Sequence, residues 1–215
     1  MHSKSKKNKN LALFDFDGTL CNKDSFTSFI FFALSKRHIF KQGLKTLPWI
    51  QAYFLNIYPA HSMRPKLFKS MFSGFSATAA DQIAQEYSIS ILKHLDPILL
   101  NQLRKHQLNG DDVVIVSASI DIYLRIIADS LDVALICSET HIQNGVYTGF
   151  YSTQDCSGIQ KSIRIKDAYE LDNYHAIYAY GNSEEDLAML EIADFPYMVG
   201  QSKSLPSISL QKKLA

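Results

Sequence analysis

The run Leu-Ala-Leu-Phe-Asp-Phe-Asp-Gly-Thr-Leu over residues 11–20 sends an apolar strand straight into two carboxylates and a glycine. In extended backbone alternate side chains share a side, so Asp15 and Asp17 face the same way. Gly18 then lets the chain turn with no side chain in its path. The outcome is a pair of acids at the carboxyl end of a strand, the place where open α/β sheets bind their ligands. A turn that uses Asp and Gly only for local hydrogen bonds is the competing reading.

Two further segments repeat this build, and another adds a cation. Residues 113–119, Val-Val-Ile-Val-Ser-Ala-Ser, form a second apolar strand ending in hydroxyls, followed by helical spacing at Ile122, Leu124, Ile126, Ile127 and Leu131. Ser117 is then a donor beside a helix N-terminus, which favours anions, although serine is also an ordinary helix N-cap. A third strand, residues 176–180, leads into Gly181-Asn182-Ser183-Glu184-Glu185-Asp186, where Ser183 can cap a helix with an acidic first turn. Capping alone does not require Asp186 one turn after a Gly-Asn strand end. Lys161 stands in Cys156-Ser-Gly-Ile-Gln-Lys-Ser, where a surface helix is the simplest account of a lone lysine.

In this order the pieces resemble the haloacid dehalogenase-like superfamily of phosphohydrolases. Asp15-Phe-Asp17-Gly-Thr-Leu, Ser117, Lys161 and Gly181-Asn182-Ser183-x-x-Asp186 carry the resemblance, which spans nearly the whole chain. The long insert after the first motif, the Val-Ser-Ala-Ser strand end, the Tyr147-Thr-Gly-Phe segment and the Cys156-x-Gly-x-x-Lys161 spacing are similar to subfamily IB. That group includes phosphoserine phosphatase and phosphatidylglycerophosphatase-like proteins. The resemblance implies Mg2+-dependent phosphomonoester hydrolysis through an aspartyl-phosphate. Asp15 would be the nucleophile, a carboxylate already ionised at neutral pH, and Asp17 the general acid and base. Gly18, Ser117, Ala118 and Lys161 would bind phosphate, while Asp15, the Asp17 carbonyl, Asn182 and Asp186 would hold Mg2+. In the insert, Asp24, Arg64 and Lys66 would contact the remainder of a small phosphorylated substrate, a metabolite or a lipid head group.

Departures from the family pattern bear on substrate and metal. Asp24 stands where phosphoserine phosphatases tend to carry a glutamate, and Val-Ser-Ala-Ser replaces their usual Val-Ser-Gly-Gly, so phosphoserine is one candidate among others. Asp24, Arg64 and Lys66 also read as a helix cap or solvated charges. Asn182 replaces the usual aspartate, so a neutral amide attracts the hard cation less strongly. A weakly active, phosphate-binding regulatory protein is the alternative this exchange suggests.

A chain of 215 residues with 47% hydrophobic and 20% charged composition can bury a real core, and a net charge of +1 implies no nucleic-acid partner. Lys4, Lys6, Lys7 and Lys9 make residues 1–10 a basic flexible tail with weak attraction to anionic surfaces. No apolar signal-peptide core follows, and Cys21, Cys137 and Cys156 show no Cys-x-x-Cys pairing, which together point to a reduced, cytoplasmic protein.

Apolar runs at residues 11–14, 113–116, 133–137, 176–180 and 197–199 alternate with helical spacing, which predicts a doubly wound parallel α/β sheet. Asn144-Gly145 marks a hairpin within residues 141–151. The core would comprise residues 11–21 and 97–215, with residues 22–96 as a helical cap carrying helical spacing at Phe26, Phe29, Ile30 and Ala33 and again at Ala79, Ile83, Tyr87 and Ile91. Its aromatic middle, residues 39–58, is interrupted by Lys41, Lys45, Pro48, Gln51 and Asn56 and is too broken for a membrane span. Those aromatics are expected to form the cap core; the alternative is peripheral membrane contact beside Lys36, Arg37 and Lys41, the basis of a membrane-surface binding role.

Overall fold

A computed structural model describes residues 9–55 and 57–208. Most of the expected basic tail, including Lys4, Lys6 and Lys7, and also Asn56, lie outside the described residues. Strand β1 (Leu11–Phe14) is followed by helices α1 (Ser25–Ala33), α2 (Lys36–Phe54), α3 (Ala60–Phe72) and α4 (Ala77–Ile91). Helix α5 (Pro97–Asn109) leads to β2 (Asp112–Ile120), α6 (Asp121–Leu131) and β3 (Ala134–Ser138). A hairpin of β4 (Thr140–Gln143) and β5 (Val146–Tyr151) precedes α7 (Ile159–Ala168), β6 (Ile177–Gly181), α8 (Leu187–Leu190) and β7 (Phe195–Met198).

The main sheet is parallel throughout, in the order β3-β2-β1-β6-β7. The chain winds outward from β1 in one direction, then crosses to β6 on the other side, so β1 and β6 flank the topological switch point. The central strands read as unbroken apolar runs because both of their faces are covered. Ala12, Phe14, Val113, Ile115, Tyr178 and Tyr180 belong to one buried cluster. The alternating positions Leu11, Leu13, Val114, Val116, Ile177 and Ala179 belong to a second on the opposite face. Each such side chain contributes about 1.5–3 kcal/mol on leaving water, so a shift of one residue in register would exchange the two faces and forfeit both.

Local signals place the ends of the elements. Asp96 accepts from the Ile98 and Leu99 amides at 2.9 Å, Pro97 occupies the first turn of α5, and Gly110 ends that helix at φ 80°. The hairpin turn has positive φ at Asn144 (52°) and Gly145 (78°), the pairing that suits the right-handed twist of its strands. In α4 the buried face is Ala80, Ala84, Tyr87, Ser88 and Ile91, which shares only Tyr87 and Ile91 with the expected face.

The aromatic middle of the insert does not form its core, contrary to expectation. Thr46 is the one buried residue of α2, whereas Phe40, Leu44, Leu47 and Phe54 are exposed. Lysines 36, 41 and 45 and Pro48 recur around this helix, and enclosing it would bury charges without partners. The interior is built instead by Phe29 of α1, Phe72 of α3 and Tyr87 of α4, with Phe29 lying 5.6 Å from Phe72 and 5.1 Å from Tyr87 between ring centres. Phe29 also meets Tyr123 of α6 at 5.0 Å, which ties the inserted helices to those covering the sheet.

Candidate active site

Strand β1 stops at Phe14, and Asp15 is the first residue beyond it. The Asp15 amide donates to the Tyr180 carbonyl at 2.9 Å, which seats the residue at the switch point. Gly18 adopts φ +77°, a conformation that favours glycine, and a Cβ there would lie 2.1 Å from the end of the Asn182 carboxamide and have to displace it.

Lys161 is 1% exposed. The surface helix expected for a lone lysine is therefore wrong: its ammonium group donates to Asp15 Oδ1 at 2.6 Å, Asp186 Oδ1 at 2.6 Å and the Val116 carbonyl at 2.9 Å. A buried ammonium needs such partners, and here they come from β1, β2 and the segment after β6. Thr19 donates to the second Asp15 oxygen at 2.9 Å. Asp186 closes a capping box with Ser183: its Oδ2 accepts from the backbone amides of Asn182 (2.9 Å) and Ser183 (3.0 Å). Asp17 turns the other way, accepting from the Ser25 amide at 2.6 Å and the Ser119 hydroxyl at 2.5 Å. Ser25 and Ser119 were not singled out from the sequence; Ser119 lies two positions past Ser117 on an extended strand, and that spacing was the available signal.

Electrostatics separate the three acids. Burial pushes the Asp15 carboxyl up to about 7 even though the Lys161 ammonium pulls it down. The ionised form that a nucleophile needs is therefore favoured by nearby positive charge, here the Lys161 ammonium. Burial also raises Asp17, against the hydrogen bonds from Ser119 and Ser25. Asp186 is lowered, because Lys161 and the two backbone amides outweigh its burial. Lys161 is held protonated above its usual range, since Asp15 and Asp186 overcome the cost of burial.

With its amide nitrogen turned inward, Asn182 donates to the Asp17 carbonyl at 3.2 Å, Asp186 Oδ2 at 3.3 Å and Asp15 Oδ2 at 3.3 Å. Three oxygens from two segments thus converge on one donor. Among the described residues no three His, Cys, Asp or Glu side chains form a metal cluster, and this set is two carboxylates, a backbone carbonyl and a carboxamide. Three of these groups present oxygen, and a half-turn of the Asn182 carboxamide would add a fourth, a set that fits a hard divalent cation such as Mg2+ with water completing its shell.

The acids, Ser117, Ala118 and Lys161 line one cavity of about 700 Å³ together with residues of α1, α2 and α3. Arg64 reaches this cavity, but its guanidinium forms a two-pronged pair with Asp155 at 2.9 Å and contacts Glu185 at 2.9 Å. Asp24 lies at the mouth, where its two oxygens accept from the Thr27 amide and hydroxyl at 2.9 and 2.7 Å as the cap of α1. The structure does not bring Lys66 into the lining; its ammonium sits over the Trp49 ring, 3.7 Å from the centre.

Fold and site together define a doubly wound α/β protein with its acids at the switch point of a parallel sheet. Residues 12–191 match the haloacid dehalogenase-like hydrolase family, and the chain belongs to it. Protein CicA of Caulobacter vibrioides is 27% identical over 191 residues, covering 86% of this chain and 83% of its own. A histidinol-phosphatase of Neisseria meningitidis is 22% identical over 220 residues, covering 95% and 96%. Among solved structures, a protein of unknown function from Bordetella pertussis superposes with a TM-score of 0.77 at 21% identity, covering 89% and 90%. A phospho-aspartyl intermediate analogue of phosphoserine phosphatase gives 0.63 at 15% identity, covering 89% and 86%. The expected phosphatase class and doubly wound fold stand with these matches. No helix among the described residues is long and apolar enough to cross a membrane.

Proposed function

We propose that this protein hydrolyses phosphate monoesters through a phosphoryl group carried on Asp15, on a substrate whose alcohol presents apolar surface. The convergence of Asp15, Asp186, the Asp17 carbonyl and Lys161 at the switch point carries this reading. An Asp15 oxygen attacks phosphorus, the ester P–O bond breaks, and the Asp17 carboxyl gives its proton to the departing alkoxide. Water then attacks the same phosphorus, Asp17 takes its proton, and the bond from phosphorus to the Asp15 oxygen breaks to release inorganic phosphate. A raised Asp17 suits the first role, since an acid must still hold its proton near neutrality. Lys161, Ser117 and the backbone around Gly18 and Ala118 stabilise charge on the transferring group, where electrostatics provides most of the catalysis. Mg2+ held by Asp15, the Asp17 carbonyl, Asn182 and Asp186 would supply further positive charge there. Three free, buried cysteines accord with a reducing, cytoplasmic setting.

The cavity supports a substrate with an apolar alcohol. Above the acids its walls are apolar, from Phe26, Ile30, Phe31, Ile50, Phe54 and Met71. Arg64 is already matched by two carboxylates and Lys66 lies outside, so the substrate contact expected of them is not carried forward. A solved relative described as a phospho-aspartyl intermediate analogue supports the covalent step.

A panel of phosphate esters with polar and apolar alcohols, assayed with Mg2+ and with chelator, tests this reading. Asp15→Asn is expected to abolish turnover while circular dichroism shows a retained fold. Full activity in that variant would overturn the mechanism. The second reading, a weakly active phosphate-binding regulator, is favoured by Asn182 alone and predicts saturable phosphate binding with negligible turnover across the panel.

A further inference from the structure

Residues 25–80 hold seven Lys or Arg and not one Asp or Glu, in a chain whose total is 22 against 21. Helices α1 to α3 are thus strongly positive on an almost neutral protein. Within them α2 carries an apolar stripe that nothing among the described residues covers. Phe40, Leu44 and Leu47 follow the i, i+4, i+7 spacing of one helical face, and Phe54 continues it; they are 69%, 57%, 43% and 76% exposed. At 100° per residue, Arg37, Lys41 and Lys45 lie along one flank of this stripe. Ile39, Gly43 and Ile50, on the other flank, line the cavity. Phe54 and Phe31 of α1 belong both to the cavity wall and to the exposed surface, with Phe31 66% exposed. The mouth of the cavity is therefore rimmed by aromatic side chains that face outward.

An apolar stripe bordered by cations is the pattern of a helix lying in a bilayer interface, its lysine stems lying along the apolar boundary and their charges among the lipid head groups. A second copy of the chain is a poor occupant, because α1 and α2 hold Lys36, Arg37, Lys41 and Lys45 and no Asp or Glu, so two such faces would bring like charges together. We propose that the exposed face of α1 and α2 docks on an anionic lipid surface with the cavity mouth against it. A phosphate ester bearing an apolar chain would then pass from the lipid layer to Asp15. The docking rests on surface chemistry alone; its link to turnover rests on the phosphatase reading above.

The test is co-sedimentation of the full chain with phosphatidylcholine vesicles, with and without phosphatidylserine, at low and high salt. Binding is expected only with phosphatidylserine and is expected to weaken with salt. Lys41→Gln with Lys45→Gln should reduce partitioning about 25-fold, at roughly fivefold per charge removed. Leu44→Ser with Leu47→Ser should reduce it by about tenfold or more while leaving every charge in place. None of these four side chains lines the cavity, so hydrolysis of soluble para-nitrophenyl phosphate should be unchanged in both variants. Failure of the parent to bind, equal binding to both vesicle types, or unaltered binding in both variants would overturn the proposal. So would concentration-dependent dimerisation that Leu44→Ser with Leu47→Ser abolishes, since it would identify a second copy as the occupant. Vesicle binding without hydrolysis of any ester would sink the phosphatase reading and leave the docking surface intact.

Discussion

Asn182 sits where the acids of the site meet, and its amide supplies the donor that an aspartate would lack. Replacing it by Asp puts a third carboxylate beside Asp15 and Asp186, with Lys161 as the ammonium already shared between them. Unit charges about 4 Å apart interact by about 4 kcal/mol at an effective dielectric near 20, so even a heavily screened part of this is measurable. Asn182→Asp should therefore melt lower than the parent in chelator and gain more from added Mg2+, with a lower magnesium concentration for half-maximal activity. Melting curves with and without Mg2+ check this, and an identical response of parent and variant would remove Asn182 from the metal site.

Elements are joined by buried polar contacts, and one of these joins α5 to β2 and β6. Asp111 accepts from His106 Nδ1 at 2.6 Å and from the Asn10 side chain at 3.0 Å, while the other His106 nitrogen meets the Tyr180 hydroxyl at 2.9 Å. Burial opposes the Asp111 charge, but the hydrogen bonds from His106 and Asn10 prevail and hold it below the usual carboxylate range. A carboxyl lowered on folding contributes stability that is fully present above its unfolded value of about 4 and is lost as pH falls through the folded value. Asp111→Asn should accordingly be about 1.5–3 kcal/mol less stable at neutral pH, and the gap should narrow below about pH 4. Urea unfolding of parent and variant at pH 7 and pH 3 measures it; a gap of equal size at both would contradict the assignment.

At the scale of the whole molecule, one apolar cluster runs from the sheet into the inserted helices. It includes Phe14 and Tyr180 of the sheet as well as Phe29, Phe72 and Tyr87 of the insert. Arg64 adds a polar clamp from α3 to Asp155 and Glu185. With this shared interior, insert and core are expected to unfold together. Phe29→Ala, at a site with no exposure, should cost about 3–5 kcal/mol and lower the melting temperature by about 10 °C in one transition. Circular dichroism and loss of activity followed on the same sample should coincide; two separated transitions would show that the insert unfolds on its own.

What the sequence determined by itself was local. Apolar runs ending in Asp15, Ser117 and Gly181-Asn182 are properties of neighbouring residues, as are the Asn144-Gly145 turn and the cap at Ser183, and all lie where the pattern put them. Lys161 was legible only through resemblance, because nothing beside it in the chain shows that two carboxylates from distant segments surround it. The same holds for Ser25 and Ser119 against Asp17, for Arg64 against Asp155 and Glu185, and for His106 against Asp111 and Tyr180. The aromatics of α2 mark the limit most clearly: composition said core, yet whether an apolar side chain is buried depends on which element packs against it. Pairing of groups far apart in sequence, and the covering of one helix face by another, are decided only when the chain closes on itself. That closure also set the acidities, since burial and neighbouring charge, not residue type, raise Asp15 and Asp17 and lower Asp186.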